Sequence, residues 1–209
     1  MEHFEQLAAS IEKGDSANTK ALVKHAIGEN IPAQDILNNA LIVGMNRIGI
    51  KFRNNEVFIP EVLVAARAMK AGLELLRPLL GEGSIDMKGK VAIGTVKGDL
   101  HDIGKNIVGV MLEGAGYEVV DLGTDVSKEA FLEAAQNTKA KIIGLSALLT
   151  TTMPYMNEII DTLKEADLRD KIKVIIGGAP VTQTFADEIG ADGYAPDAAS
   201  AVDLVESLA

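Results

Sequence analysis

The sequence predicts an α/β protein in which a bundle of four helices precedes a five-stranded parallel sheet. Apolar residues up to about residue 80 recur at steps of three, four and seven, the spacing of helix faces that pack in a bundle. From Lys90 onward, short apolar runs alternate with helical segments, and this alternation requires parallel strands joined by right-handed crossovers. A glycine-rich stretch at residues 81–84 separates the two patterns as a linker. We therefore expect a helical domain over residues 1–83 and an α/β domain over residues 84–209.

Turn residues divide the helical part into four helices, with breaks at residues 14–15, 28–32 and 54–60. The fourth helix begins at Pro60, because proline in a first helical turn loses no hydrogen bond, and it ends near Leu80. In the second part, strands are predicted at residues 91–96, 118–122, 141–146, 173–176 and 193–195, and a final helix at residues 198–208. Five such strands suit the flavodoxin-like, Rossmann-type order, whose switch point lies beside the first strand.

Composition excludes several classes of function. A net charge of −10 argues against nucleic acid and anionic membranes as partners, since both need clustered Lys and Arg. The absence of cysteine excludes disulfides and thiolate metal sites. No apolar run is long enough to span a bilayer, and the acidic first residues do not form a secretory signal, so we expect a soluble, cytoplasmic protein.

The most informative segment follows the first predicted strand, where His101 stands between Gly98 and Gly104. Ligands of open parallel sheets bind at the carboxyl ends of the strands, so this loop faces the expected crevice. Asp99 stands two residues before His101, where its carboxylate can fix the ring tautomer, the usual arrangement behind a metal-binding histidine. A phosphate loop is disfavoured, because five residues separate the glycines and Asn106, not a hydroxyl residue, follows Lys105.

His101 alone cannot hold a free metal ion. The chain has three histidines and no cysteine, and no carboxylates are spaced to converge on His101. A macrocycle that brings most of its own ligands and takes one axial nitrogen from the protein is the economical alternative.

Three ordered motifs resemble those of a known family. Residues 98–108 resemble the Asp-x-His-x-x-Gly signature of cobalamin-binding domains, Ser146 and Leu148 match a later Ser-x-Leu element, and Gly177-Gly178 matches a Gly-Gly element. The helical part is similar to the cap that precedes this domain in methionine synthase and in small corrinoid proteins of methyltransferase systems. The resemblance covers nearly the whole chain and implies a cobalamin-binding α/β domain behind a helical cap.

The resemblance also implies roles for individual residues. His101 is expected to bind cobalt in place of the dimethylbenzimidazole base, with Asp99 and Thr152 completing a relay in which Thr151 is an alternative third member. The displaced tail would bury in a slot of the α/β domain. The expected cofactor-binding residues of this domain are Gly98, Asp99, Leu100, His101, Asp102, Ile103, Gly104, Ser146, Leu148, Thr150, Gly177, Gly178, Ala179, Tyr194, Asp197 and Ala198. In the cap, Phe52 and Ile59 are expected to cover the methyl-bearing face of the corrin, with Asn38 nearby, although ordinary bundle core remains an alternative for the two apolar residues.

The function implied is that of a methyl carrier, and not of a complete enzyme, because the chain offers no substrate pocket of its own. Its expected partners are a substrate-specific methyltransferase, a methylcorrinoid:tetrahydrofolate or methylcorrinoid:thiol methyltransferase, and a reductive activase. The alternatives are a subunit of an adenosylcobalamin-dependent mutase, a cobalamin-sensing regulator, or a flavodoxin-like domain without cobalamin. The helical cap argues against the mutase, and the absence of a basic DNA-binding module argues against the regulator. Methanol, methylamines and aryl methyl ethers all remain open as methyl donors.

Overall fold

A computed structural model describes residues 2–80 and 87–209. The described chain forms two compact units, one consisting mainly of the residues up to Met87 and the other mainly of Lys88–Glu113 and Tyr117–Ala209. The predicted linker at residues 81–84, and with it the predicted boundary, lies outside the described residues.

The first unit is helical, as predicted. Its helices are α1 (Glu2–Glu12), α2 (Ser16–Gly28), α3 (Ala33–Ile36), α4 (Ile42–Arg53) and α5 (Ile59–Leu76), and a 3₁₀ turn at Arg77–Leu79 follows α5. A π-helical turn at Leu37–Leu41 joins α3 directly to α4, so these two form one continuous helix. The described part of the unit therefore has the four predicted helices.

Local sequence explains where these helices begin. The Asp15 side chain accepts a hydrogen bond from the Asn18 backbone N–H and caps α2. Pro60 lies in the first turn of α5, and the Glu61 carboxylate accepts from the Phe58 N–H just before it. Most of the residues that helical spacing predicts for the bundle core are at most 2% exposed: Leu7, Ile11, Val23, Ile36, Leu37, Leu41, Met45 and Ile48. Leu22, Ile27 and Phe52, predicted with them, are only partly buried.

The second unit is a five-stranded parallel sheet with helices between the strands. Its strands are β1 (Lys90–Thr95), β2 (Glu118–Asp121), β3 (Ile142–Ser146), β4 (Lys173–Gly177) and β5 (Gly193–Ala195). Its helices are α6 (Ile103–Gly114), α7 (Lys128–Asn137), α8 (Pro154–Glu165), α9 (Gln183–Ile189) and α10 (Ala198–Leu208). The strand order β2-β1-β3-β4-β5 is the flavodoxin-like order, which confirms the predicted fold class.

The register of the sheet brings the predicted motifs to one edge. Thr95 of β1 pairs with Ser146 of β3, Ser146 pairs with Gly177 of β4, and Gly177 pairs with Ala195 of β5. The loops that follow these four strands therefore start side by side at the carboxyl end of the sheet.

None of the helices in the described parts of the chain is long and apolar enough to cross a membrane.

Candidate functional site

A cavity of about 650 Å³ opens at this carboxyl edge, within the α/β unit. Its floor is formed by the ends of β1, β3 and β4, and its sides by the start of α6 and by α10. The volume lies in the range of small-molecule sites, about 300–1,000 Å³. The cavity is lined mainly by apolar side chains and glycine backbone: Ile93, Leu100, His101, Asp102, Ile103, Gly104, Lys105, Val108, Gly144, Leu145, Ser146, Ala147, Leu148, Ile175, Ile176, Gly177, Gly178, Ala179, Ala195, Pro196, Asp197, Ala198 and Ala201.

The loop that carries His101 is held in place from below. The buried Thr95 hydroxyl donates to the His101 carbonyl over 2.9 Å. Gly98 adopts a positive φ of 81°, and its N–H donates to the Asp125 carboxylate over 2.7 Å. A residue with a side chain adopts this backbone conformation only with strain, which explains the glycine that the motif contains here.

Asp99 is completely buried and accepts hydrogen bonds with both oxygens. Oδ1 lies 2.6 Å from Nδ1 of the His101 ring and 3.1 Å from the His101 backbone nitrogen. Oδ2 accepts from the Leu148 N–H at 2.7 Å, the Leu149 N–H at 3.2 Å and the Thr152 hydroxyl at 2.9 Å. One carboxylate therefore joins the loop after β1 to the loop after β3.

These contacts keep Asp99 ionised. Burial raises the pKa of its carboxyl group, but hydrogen bonds from the His101 ring, the Leu148 and His101 N–H groups and the Thr152 hydroxyl outweigh burial and hold the pKa well below its usual range. The Asp99 carboxylate is therefore placed to accept a hydrogen carried by Nδ1 of the His101 ring.

His101 is about half exposed, with 52% of its side-chain surface open, and it lines the cavity. Because Asp99 engages Nδ1, the ring nitrogen left to bind a ligand is Nε2. Leu100 and Ile103, on either side of the histidine, are 73% and 71% exposed. The imidazole thus stands between two solvent-exposed apolar side chains.

Lys105 contributes a second charged contact to the cavity. Its side chain is only 3% exposed, and Nζ donates to the Asp121 carboxylate oxygens at 2.6 and 2.7 Å and to the Asn106 side-chain oxygen at 2.7 Å. Burial raises the pKa of Asp121, but the Lys105 and Gly123 hydrogen bonds more than offset it and lower the pKa. The lysine charge is thus compensated, and its stem serves as part of the wall.

Gly178 allows two loops to approach each other closely. Its φ is 132°, and a Cβ at this position would lie 1.8 Å from the Ala147 carbonyl oxygen. A glycine is therefore required where the loop after β4 passes the loop after β3, and both loops line the cavity.

Most of the predicted site residues of the α/β unit meet at this cavity. Gly98, Asp99 and Thr152 do not line the cavity themselves but support the loop that carries His101. Thr152, not the exposed Thr151, contacts Asp99. Among the described residues, the cavity lining does not include Thr150 or Tyr194. Tyr194 packs instead against the core that contains Val174 and Ile176, because alternation along β5 directs it away from the face of Ala195.

Asp197 lines the cavity but also has a structural role. Its carboxylate accepts from the Ser200 N–H at 2.8 Å and from the Ser200 hydroxyl at 3.0 Å, which caps α10.

Sequence reasoning missed several lining residues, notably Lys105, Val108, Gly144 and Ala201. Helical spacing from Gly104 would have placed Val108 on the same face of α6, and a glycine inside an apolar strand such as Gly144 signals a close approach. The backbone donors of Leu148 and Leu149 to Asp99 left no signal in the sequence.

In the helical unit, Phe52 is partly buried, Ile59 is 38% exposed and Asn38 is exposed. Their expected role at the methyl-bearing face of a corrin stays a prediction.

These features define a class of protein. An apolar slot at the switch point of a flavodoxin-like sheet, with a carboxylate-held imidazole at its mouth, suits a large cofactor that buries a flat tail and takes one nitrogen ligand from the chain. The glycines of the cavity lining and the exposed Leu100 and Ile103 offer backbone and apolar surface to such a group.

Comparison with known proteins agrees. Two families described as "B12 binding domain" match residues 89–203 and residues 3–77. The chain is 44% identical over 211 residues to a corrinoid protein of Desulfitobacterium hafniense, covering 100% of this chain and 98% of the relative. It is 46% identical over 208 residues to dimethylamine corrinoid protein 1 of Methanosarcina acetivorans, covering 99% and 97%.

Solved structures give the same answer. A chain of the methanol:cobalamin methyltransferase complex of Methanosarcina barkeri matches with a TM-score of 0.90 and 34% identity, over 99% of this chain and 79% of that chain. A cobalamin-binding protein of Desulfitobacterium hafniense matches with a TM-score of 0.82 and 32% identity, over 99% and 98%. The protein belongs to the B12-binding corrinoid proteins, and the resemblance to corrinoid proteins of methyltransferase systems is confirmed.

Proposed function

We propose that this protein is a methyl carrier that holds cobalamin with Nε2 of His101 as the lower cobalt ligand and the dimethylbenzimidazole tail in the cavity. It passes a methyl group from a substrate-specific methyltransferase to a second methyltransferase that serves tetrahydrofolate or a thiol. When bound, the corrinoid supplies a cobalt centre that accepts and releases methyl groups.

The observation that carries the proposal is the contact between Asp99 and His101 at the mouth of the cavity. The 2.6 Å contact to Nδ1 fixes the tautomer in which Nε2 has a free lone pair, and it orients the ring. Leu100 and Ile103 provide apolar surface beside the ring for the underside of a macrocycle.

Asp99 also determines where a proton goes when His101 is not bound to metal. Because its own pKa is held low, a proton taken up by the pair adds to Nε2, and Asp99 balances the resulting imidazolium charge. Thr152 supports this by donating to the other carboxylate oxygen. His101, Asp99 and Thr152 can therefore couple release of the ligand to proton uptake.

Relatives support the two-partner role. One similar structure is a methanol:cobalamin methyltransferase complex, and several relatives are named dimethylamine corrinoid proteins. We extend to this chain a methyltransferase as donor partner, a methylcorrinoid:acceptor methyltransferase and a reductive activase, in the cytoplasm.

The decisive experiment is paramagnetic resonance of the protein loaded with cobalamin and reduced to cobalt(II), prepared with isotopically labelled histidine. Labelling should change the nitrogen splitting of the wild-type signal, because the axial nitrogen comes from a side chain of the protein. The splitting should disappear in His101→Ala and persist in His25→Ala, a matched change at another histidine. A wild-type signal that does not respond to the label would assign the nitrogen to the base and refute the histidine-bound form.

The methyl-carrier role has a separate test. The reduced, loaded protein is mixed with purified methyltransferases that use methanol, methylamines or aryl methyl ethers, and labelled methyl on the protein is counted. One of these enzymes should methylate it stoichiometrically, and a tetrahydrofolate or thiol methyltransferase should remove the label. Failure with all of them would exclude these donors.

A further inference from the structure

We propose that His3, His25 and Glu29 form a binding site for a divalent metal ion, with Zn²⁺ as the best match, in the helical unit. His3 lies in the first turn of α1, and His25 and Glu29 lie at the end of α2. Each offers one ligand atom, and these atoms all lie within 4.8 Å of one another. The cluster uses the two histidines that the cobalamin site leaves unused.

Two of the ligands are placed by a single helix. His25 and Glu29 are four residues apart, so their side chains lie on one face of α2, and His25 Nε2 is 4.0 Å from Glu29 Oε1. The Glu29 backbone N–H donates to the His25 carbonyl and the Asn30 N–H to the Ile27 carbonyl, each over 3.0 Å, which fixes the backbone under both side chains. Little backbone order must be gained for this pair to bind one ion.

His3 supplies the observation that points to a missing partner. Its ring packs edge-on against that of His25, with centroids 4.6 Å apart and planes at 80°. Its Nε2 atom is buried and has no hydrogen-bond partner among the described residues. A buried polar atom without a partner is costly and uncommon, so this ring needs a ligand that the described chain does not provide. The His3 ring lies beside His25 and Glu29, whose side chains are of types that bind metals.

The donor set selects the kind of ion. Two imidazoles and one carboxylate suit Zn²⁺, whereas Mg²⁺ and Ca²⁺ prefer all-oxygen sites. Zinc bonds of about 2.0–2.1 Å place tetrahedral ligand atoms roughly 3.3 Å apart, so the cluster must tighten by about 1 Å or somewhat more. The His25 and Glu29 side chains are 57% and 52% exposed and can rotate to do so. Three protein ligands leave the fourth position to water.

Charges around the cluster also favour a cation. The carbonyl end of α2, which carries the negative end of the helix dipole, lies beside His25 and Glu29. The positive end of α1 opposes this, and Glu2 in its first turn partly offsets it, whereas Glu5 is paired with Arg47. The net charge of −10 adds a general attraction for cations. A bound ion would connect the start of the first helix to the end of the second.

The test is calorimetric titration of the full-length, cobalamin-loaded protein with Zn²⁺ in a buffer free of chelators. We expect one zinc ion per chain and a rise in Tm with zinc concentration. His3→Ala, His25→Ala and the milder Glu29→Gln should each weaken binding by at least about tenfold, because each removes one of three protein ligands. Glu2→Gln, next to His3, should leave the affinity within about twofold of wild type, because Glu2 is outside the cluster.

Two controls keep the result independent of the cobalamin site and of folding. His101→Ala should still bind one zinc ion, and circular dichroism should show native helix content in the cluster variants. Zinc binding that survives in the His3→Ala/His25→Ala double variant, that requires His101, or that is weaker than millimolar would overturn the proposal.

Discussion

Replacement of Asp99 by Asn is the most informative perturbation of the proposed cobalamin site, because it keeps the size of the side chain and removes its charge. The wild-type carboxylate receives five donors: two from His101 at Oδ1, and those of Leu148, Leu149 and Thr152 at Oδ2. An amide offers one accepting oxygen and one donating NH₂ group. It cannot serve both sides.

Either orientation of the amide has a defined consequence. If its oxygen faces His101, the NH₂ group opposes the Leu148 and Leu149 N–H groups, which lose their acceptor. If its NH₂ group faces His101, the ring must accept at Nδ1 and carry its hydrogen on Nε2, and that tautomer cannot bind a metal. Metal coordination or loop stability must therefore suffer.

The magnitude follows from the donors left unsatisfied. Two partly buried donors without partners cost about 1–3 kcal/mol each, and charged hydrogen bonds are worth about 1.5–3 kcal/mol. With two such donors, we expect Asp99→Asn to lower the free energy of unfolding by about 2–6 kcal/mol, which for a chain of this size lowers Tm by roughly 4–24 °C. Asp125→Asn is the matched control, because the Asp125 carboxylate is exposed and accepts from Gly98 N–H, and we expect a loss of at most about 1 kcal/mol.

The stability difference should depend on pH in a definite direction. The folded-state pKa of Asp99 is depressed below its ordinary value of 3.8. Its contribution is therefore fully present above about pH 4 to 5 and is lost as the pH falls through the folded-state pKa. Wild type and Asp99→Asn should differ most at neutral pH, and the difference should begin to shrink as the pH falls below about 4.

The assay is urea unfolding of both proteins and of the Asp125→Asn control between pH 3 and 7, with redox titrations of the loaded proteins across pH in parallel. The variant should retain cobalamin through the cavity around Ser146 and Gly178, but with an altered pH dependence of His101 detachment. Superimposable stability and redox curves for wild type and Asp99→Asn would refute the reasoning and leave Asp99 as a loop-shaping residue only.

Three further predictions concern other parts of the site. Gly178→Ala should lower the free energy of unfolding by at least about 2 kcal/mol and reduce cobalamin uptake, because its Cβ would meet the Ala147 carbonyl. Thermal unfolding and cobalamin stoichiometry measure the two effects, and wild-type values for both would show that the two loops can separate. Thr152→Val should lower the free energy of unfolding by about 1–2 kcal/mol and shift the pH profile of His101 coordination, whereas Thr152→Ser, which keeps the hydroxyl, should restore both. Equal effects of the two substitutions would show that the hydroxyl makes no contribution. A fragment of residues 84–209 should still bind cobalamin, because the whole cavity lies within it, but should lose a bound methyl group to light or thiols faster than the full chain. Absorbance follows binding and methyl loss, and a soluble fragment that binds no cobalamin would contradict the assignment of the cavity to the cofactor.

The sequence was sufficient to predict the sheet and the centre of the site for a physical reason. Strands buried on both faces read as continuous apolar runs, and parallel strands bring the loops at their carboxyl ends together, so His101, Ser146 and Gly177 had to converge. Side-chain direction was less accessible. Tyr194 was expected at the rim of the cavity, but successive side chains of β5 point to opposite sides of the sheet, and Tyr194 points to the other side. Which residues point to which side depends on a strand boundary that the sequence defines only loosely.

Contacts made by backbone atoms could not be predicted from the sequence. The N–H groups of Leu148 and Leu149 carry no residue-specific signal, yet both donate to Asp99, and the Leu148 N–H helps to lower its pKa. The ion pair between the buried Lys105 and the half-exposed Asp121 was missed for a different reason: its members are sixteen residues apart, on α6 and β2, and charged residues usually indicate an exposed face.

The π-helical turn at Leu37–Leu41 has a consequence for aligning this chain with its relatives. A π turn accommodates one residue more than an α-helical turn, and in an unbroken α-helix that residue would rotate everything after it by about 100°. Here Leu37 and Leu41 remain buried while Asn38 and Asn39 both face solvent, so the extra residue is absorbed without moving the core stripe. A one-residue length difference between relatives at this turn would leave the bundle core in register. Asn38, which lies within the turn, and Phe52, which follows it, should therefore be aligned independently of each other.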